Sequence, residues 1–450
     1  MKRLPFKSLR RLNLLTFVSL QPHPNYRWQF SWDCTQWGLF LFPIFPLLGV
    51  VGLALTLFSV WKQQFRTIIQ RPLNRGFAIL SLWLIFSSCF AFQPAEAFLG
   101  LANFLPFFAA FAAFHVLIQT PAQLRQLAWL LVIPSTVVLL LGFGQLFWGW
   151  SGLVQLQGLF GWVIDPQGNP VGRMASVFMY ANILAAYLLI IFILALGLWL
   201  ETYQILRTSF WVPVIYWVRI GFLSVVVSSS AIALILTDSR NAWIITLLSC
   251  FAFAIYQGWR WLVAIVTSIA GAILWSAFGP SPVREWLRTI VPAFFWARLT
   301  DQLYPDRPVA LMRTTQWHFA ELMTQQRPWL GWGLRNFTPL YKEQTQVWLG
   351  HPHNLFLMLT AETGIPATLL FCGLVTWGIV QAIKTLRGRF YSRWQDRLIL
   401  FTYLVAFGSC ILFNLADVTI FDARVNTLGW LLFSAICGVA FKSKSSYLSY

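Results

Sequence analysis

Acidic side chains are scarce in this sequence. Asp and Glu number 14 among 450 residues, against 32 Lys and Arg. No two aspartates form the DxD pair that holds a metal-bound nucleotide. The six cysteines (34, 89, 250, 372, 410 and 437) are scattered, nearly all in apolar runs, without a CxxC pair. They read as small core residues, neither a disulfide frame nor a metal site. There is no low-complexity tract and no repeat of fixed period. The basic stretch Met1–Leu20 has a short apolar part but no small-residue cleavage site. An interfacial segment, with Lys7, Arg10 and Arg11 on its polar side, fits it better than a cleaved signal peptide.

What is abundant is apolar surface. The chain is 58% hydrophobic and 10% charged, with a mean hydropathy of +0.66. A soluble domain of this size could not hide that much, so an all-α polytopic membrane protein is expected. The apolar runs are continuous and about 20 residues long, which suits helices and not barrel strands. They fall near 37–61, 76–92, 98–118, 126–148, 174–200, 220–236, 241–257, 261–279, 354–383, 398–416 and 425–441.

Loop charge orients them. Lys384, Arg387, Arg389, Arg393 and Arg397 mark the cytoplasmic side, as do Lys62, Arg66, Arg71 and Arg75, and the tail Lys442 and Lys444. Alternation then places 93–97, 149–173, 237–240, 280–353 and 417–424 outside. The run 37–61 resists the count, because residues 1–36 are also basic. Pro43, Pro46, Gly49 and Gly52 suggest a bent or re-entrant pair there. The expectation is 11 or 12 membrane helices: a basic N-terminus (1–36), a first helical block (37–279), a large periplasmic loop (280–352), a second block (353–441) and a cytoplasmic tail (442–450). A net charge of +18 suits anionic lipid surfaces. It does not argue for nucleic acid, because the charge sits in short segments between helices.

The segment 280–352 holds seven arginines, one lysine and two of the five histidines. A loop of this length usually carries function or its own structure. Arg313, Trp317, Ala320, Leu322 and Met323 suggest a short helix lying along the membrane surface. Positive charge on the outer side points to an anionic ligand. The outward set is nearly all arginine: Arg173, Arg240, Arg298, Arg307 and Arg313, with Lys342 the exception. Arginine suits phosphate because its planar fork donates paired hydrogen bonds. The plainer reading is snorkelling, or pairing with Asp165, Asp238, Asp301 or Asp306.

His353 opens a helix in His351-Pro352-His353-Asn354. A neutral imidazole there can take a proton from a hydroxyl. His351 and His353 could also form a metal pair, but Pro352 intervenes and no third ligand is evident, so no metal is expected. Asp417 and Asp422 could orient an arginine or the histidine, or cap the helix near Asn426. Glu362, nine residues after His353, points to the opposite face of a continuous helix and reads as a packed group near Gly364 and Pro366. Gly331-Trp332-Gly333 lacks the third glycine and the βαβ setting of a dinucleotide loop, and reads as a turn before the helix of His353. Trp317, Trp329, Trp332 and Trp348 read first as interface anchors. His115 and His318 read as structural.

Four ordered features resemble the O-antigen ligase/polymerase superfamily of membrane glycosyltransferases. They are Arg173 followed by Asn182, the turn Thr237-Asp238-Ser239-Arg240, Arg313 and Trp317 ahead of Gly331–Phe337, and His353-Asn354 with Glu362-Thr363-Gly364. The resemblance implies a glycan donor on undecaprenyl diphosphate, a periplasmic loop over the site, and a lipid or glycan acceptor. It implies diphosphate-binding arginines, Arg240 and Arg313, with Arg173 and Arg298 beside them. His353 matches the family's essential histidine, with Asn354, Glu362 and Asp417 in support. The implied transfer is inverting, needs no metal or cofactor, and faces the periplasm from the inner (plasma) membrane. Ala175 and Tyr180 depart from the family's usual residues and bear on the acceptor side. The turn Asp417–Arg424 is similar to a branch of the same superfamily labelled as inorganic-carbon transporters, so bicarbonate transport is the second reading.

Overall fold

The computed structural model describes residues 21–152, 161–300, 309–388, 391 and 393–445; within these, the side chains of Phe294, Phe295, Arg298 and residues 443–445 lie outside the description. Among the described residues there is no strand. In chain order the helices are α1 (Gln29–Leu41), α2 (Pro46–Gln70), α3 (Pro72–Cys89), α4 (Pro94–Gly100), α5 (Leu105–Leu117), α6 (Pro121–Val132), α7 (Ser135–Trp148), α8 (Ala181–Thr208), α9 (Val214–Leu236), α10 (Arg240–Gln257) and α11 (Arg260–Phe278). Shorter ones follow: α12 (Val283–Ile290), α13 (Ala293–Leu299), α14 (Arg313–Gln326), α15 (Phe337–Thr345) and α16 (Leu355–Thr363). The chain ends with α17 (Ile365–Arg387), α18 (Trp394–Phe413) and α19 (Ala423–Ser445). The all-α, multi-pass expectation is borne out. Nine helical segments among the described residues are long and apolar enough to cross a membrane. The 18-residue α3 and α10 miss that test, because each opens on polar residues (Asn74-Arg75 and Arg240-Asn241).

Helix α8 is the pillar of the bundle. Its run Ile183–Leu200 is apolar on every face, as a helix enclosed on all sides must be. Helices α6, α9, α10 and α18 pack around it, while α19 packs on α5, α17 and α18.

The ambiguous run 37–61 proves to contain a turn. Its first five residues, 37–41, end α1, which starts at Gln29, upstream of the run, and α2 begins at Pro46. The polar residues of α1 hid it from hydropathy, because they are satisfied inside the hairpin. Ser31 Oγ donates to Ser59 Oγ at 2.9 Å, and Thr56 Oγ1 donates to Ser31 O at 3.1 Å. Gly52 lets the two backbones touch: a Cβ there would come within 2.8 Å of Gly38 Cα. Residues 29 and 70 therefore lie at the same end, which removes the conflict between the basic N-terminus and Lys62.

The run 354–383 is not one helix, as expected, but two. Gly364, at φ 83° and ψ 164°, ends α16 before Pro366 enters the first turn of α17. The segment Trp329–Gly333 inserts at that break. Trp332 and Gly333 donate backbone N–H bonds to the end carbonyls of α16, Ala361 O at 3.0 Å and Glu362 O at 2.8 Å. The expected helix over Arg313–Met323 exists as α14. Its buried face closes a small second core of Ala320, Met323, Phe337, Tyr341 and Ala361.

Candidate active site

A cavity of about 1060 Å³ lies at the end of the bundle opposite Lys62 and Arg393. Its walls come from the start of α8, the turn 417–422 and the loop between α15 and α16. His351, His353, Asn182, Asp417, Lys342 and Trp348 line it.

The loop that carries His353 is held by its backbone. Trp317 of α14 donates its indole N–H to Pro352 O at 3.0 Å, and Leu355 N donates to Asn414 O at 2.9 Å. Asn354 caps α16, its side chain accepting from Phe356 N and Leu357 N. These contacts hold His353 at φ 52°, a left-handed conformation that costs a non-glycine residue about 1–2 kcal/mol.

Its imidazole Nδ1 lies 3.3 Å from Asp417 Oδ1. Asp417 also accepts from Val418 N at 2.9 Å and, through Oδ2, from Asn182 Nδ2 at 2.9 Å. Burial opposes ionisation of this carboxyl. The hydrogen bond from His353, the charges of both histidines and the Val418 N–H outweigh it and hold the pKa below the ordinary aspartate value. An ionised Asp417 keeps the His353 proton on Nδ1 and leaves Nε2 as the acceptor.

Asn182 is oriented in turn by Arg173, whose Nη2 donates to its Oδ1 at 2.6 Å and whose Nε donates to Thr237 O at 2.8 Å. Two donors of Arg173 are thus engaged within the protein. A relay runs Arg173–Asn182–Asp417–His353. Asn182 stands in the sequence motif, but nothing in the sequence marked its contact with Asp417. Of the alternatives left open for the two aspartates, Asp417 orients the histidine, while Asp422 caps α19 by accepting from Arg424 N and Val425 N.

His351, His353 and Asp417 place three potential metal-ligand atoms within 4.8 Å of one another. The third member comes from a distant segment, so the sequence did not offer it. The hydrogen bonding of His351 opposes coordination. Its Nδ1 accepts from the His353 backbone N–H at 3.2 Å, so the proton of the neutral ring sits on Nε2. Nε2 is the atom 3.7 Å from Asp417 that would have to bind the ion. A metal-bound histidine has the reverse arrangement, with its second nitrogen donating. Burial, helped by the charges of His353 and Arg313, lowers the His351 pKa to about 4, so the ring is neutral at ordinary pH.

Arg313 begins α14 and Arg240 begins α10, and both are exposed. Arg313 lies close enough to act on His351. Asn241, next to Arg240, donates to Phe413 O at 2.9 Å, and Phe413 lines the cavity. Neither arginine is itself among the lining side chains. Arg298 lies in α13 with its side chain outside the described residues, as do Asp301, Asp306 and Arg307 entirely.

Glu362 points away from the cavity, as expected for a packed group. Its Oε1 accepts from Phe337 N at 3.0 Å, at the start of α15. Burial pushes its pKa up to about 7, against the pull of the Phe337 and Arg335 backbone N–H groups. Because the folded pKa exceeds the unfolded one, the folded form binds more protons between about pH 4.5 and 7, and stability falls as pH rises through that window. His351, whose folded pKa is lowered, contributes the opposite slope below about pH 6.5, so the Glu362 part is read from the difference between wild type and variant. In Glu362→Gln that part of the slope should vanish, a difference of up to about 3 kcal/mol. Equal slopes in thermal melts of the two proteins would refute the role.

The family model described as O-antigen ligase matches residues 223–372. The match takes in Arg240, Arg313, the Trp329–Gly333 segment, His353 and Glu362; Arg173, Asn182 and Asp417 fall outside it. None of the curated proteins compared with the chain matches it.

Proposed function

Residues 223–372 place this multi-pass membrane protein with the O-antigen ligase/polymerase superfamily, and from that premise we propose a glycosyltransferase that moves a glycan from a polyprenyl diphosphate carrier to a sugar hydroxyl. The observation that carries the reading is the Asp417–His353 pair on the cavity wall, 3.3 Å apart, with Nε2 as the ring's remaining nitrogen. His353 Nε2 takes the proton of the acceptor hydroxyl as its oxygen attacks the anomeric carbon. The bond from that carbon to the diphosphate breaks, and the polyprenyl diphosphate leaves with the electron pair. Arg240 and Arg313 neutralise the charge that grows on it. The imidazolium then loses its proton to water. Attack opposite the leaving group inverts the anomeric centre.

In this reading the cavity faces the periplasm, since the basic end with Lys62 and Arg393 faces the cytoplasm. Undecaprenyl diphosphate fits as carrier, and a lipid-linked or free glycan as acceptor. The test is transfer of radiolabelled glycan from a polyprenyl diphosphate donor by purified protein, with EDTA present. A labelled product of inverted configuration is expected. Failure to form product with any glycan acceptor would overturn the proposal.

Asp417→Asn tests the relay. An amide can donate to His353 Nδ1 and so favours the wrong tautomer. The expected result is a fall in kcat of about 10²-fold with the donor KM unchanged. A change confined to KM would show that Asp417 serves binding instead.

A further inference from the structure

A second cavity, of about 480 Å³, opens at the basic end between α6, α8, α9 and the start of α18. It is separate from the first: Asn182 and Glu201 mark the two along α8, and 19 helical residues span about 28 Å. Its charged lining is Arg125, Arg219 and Arg393 with Glu201 and Asp396. Arg125 holds both carboxylates, Glu201 at 2.6 Å and Asp396 at 2.7 Å. Three guanidinium groups against two carboxylates leave the cavity with an excess of positive charge.

Arg219 is the informative member. Its guanidinium lies 5.7 Å from the Trp129 ring centre and 5.6 Å from that of Tyr216. Its Nε is buried and makes no hydrogen bond among the described residues. That nitrogen is enclosed, so a ligand in the cavity meets the outer guanidinium nitrogens instead, on a side chain that lines the cavity while Arg125 takes both carboxylates. Arg393 stands exposed at the N-cap of α18, where the helix end also favours an anion. Phe210, Trp211 and Trp217, 96%, 88% and 62% exposed, lie on the adjoining turn and the first turn of α9. Aromatics so placed mark the headgroup level of a bilayer.

We propose that this cavity is a binding site for a phosphate group, held by the Arg219 and Arg393 guanidinium groups while Arg125 masks the carboxylates. The phosphate belongs either to an acidic phospholipid of the leaflet that the basic end faces or to a free phosphate ion. The site needs no part of the transfer reaction.

The experiment measures equilibrium binding of phosphatidylglycerol, phosphatidylcholine and inorganic phosphate to the purified full-length protein in neutral detergent. Wild type, Arg219→Ala, Arg393→Ala and Arg260→Ala are compared; Arg260 is an exposed arginine of the same end outside the cavity. Wild type should prefer phosphatidylglycerol to phosphatidylcholine. Arg219→Ala and Arg393→Ala should each weaken binding about tenfold, and Arg260→Ala should not. Displacement of the lipid by inorganic phosphate would identify the free ion as a ligand, and resistance to it would identify the headgroup. If Arg219→Ala does not fold, Arg219→Lys keeps the charge without the fork and should fall between. The proposal is overturned if wild type prefers neither acidic lipid nor phosphate, or if both pocket variants bind as wild type does.

Discussion

His353→Ala is expected to cut transfer by about 10²- to 10⁴-fold, the usual contribution of a positioned general base. The loss should appear in kcat, with little change in donor KM. The imidazole acts on the acceptor proton in this scheme and does not hold the diphosphate. The variant should fold, because the contacts that fix the loop are indifferent to the side chain at 353. The Trp317 indole bonds to Pro352 O, Leu355 N bonds to Asn414 O, and Asn354 still caps α16. The imidazole itself is 29% exposed on the cavity wall, so removing it leaves no void in the core. Transfer assays on purified wild type and variant decide the matter. Product formed at the wild-type rate would remove His353 from the mechanism.

Arg313→Ala and Arg240→Ala form the second series, each expected to lose about 10²- to 10³-fold in transfer. In the proposed mechanism their task is to offset charge that appears on the diphosphate as the glycosidic bond breaks, so the loss should fall on kcat at least as much as on KM. Lysine at either position should restore part of the rate, since it keeps the charge but not the paired hydrogen bonds. Each residue begins a helix, α14 and α10, so an anion held by either guanidinium also meets a helix N-terminus. The Arg240→Ala/Arg313→Ala double variant should be less impaired than the product of the two single effects, because both serve one charge. Wild-type kcat in both single variants would show that neither arginine serves the diphosphate.

The boundaries that hydropathy missed have specific causes. Helix α1 carries Gln29, Ser31, Asp33, Thr35 and Gln36 in its first turns. Polar residues that hydrogen-bond to a partner helix look like a loop to any scale that counts transfer from water. The continuous run 354–383 concealed a break although Gly364 and Pro366 signalled one, because apolar side chains on both sides kept the average high. Glu362 was read correctly as packed, although the helix around it was read too long. Its place is set by Phe337 N, 25 residues earlier.

Composition and the length of the apolar runs were enough for an all-helical membrane chain with a polar, arginine-rich segment between two helical blocks. These properties are local: a bilayer selects each span by its own length and polarity. His353 and the arginines stood out for a similar reason, as polar residue types beside long apolar runs. The partner of His353 was not. Asp417 lies 64 residues beyond it, and Asn182 lies 235 residues before Asp417. Packing of α8 against α18 brings Asn182 and the Asp417 turn to one end of the bundle, and the break at Gly364 lets α16 set His353 against them. The tautomer of that imidazole, and with it the identity of the basic nitrogen, depends on a carboxylate that only the folded chain puts within reach.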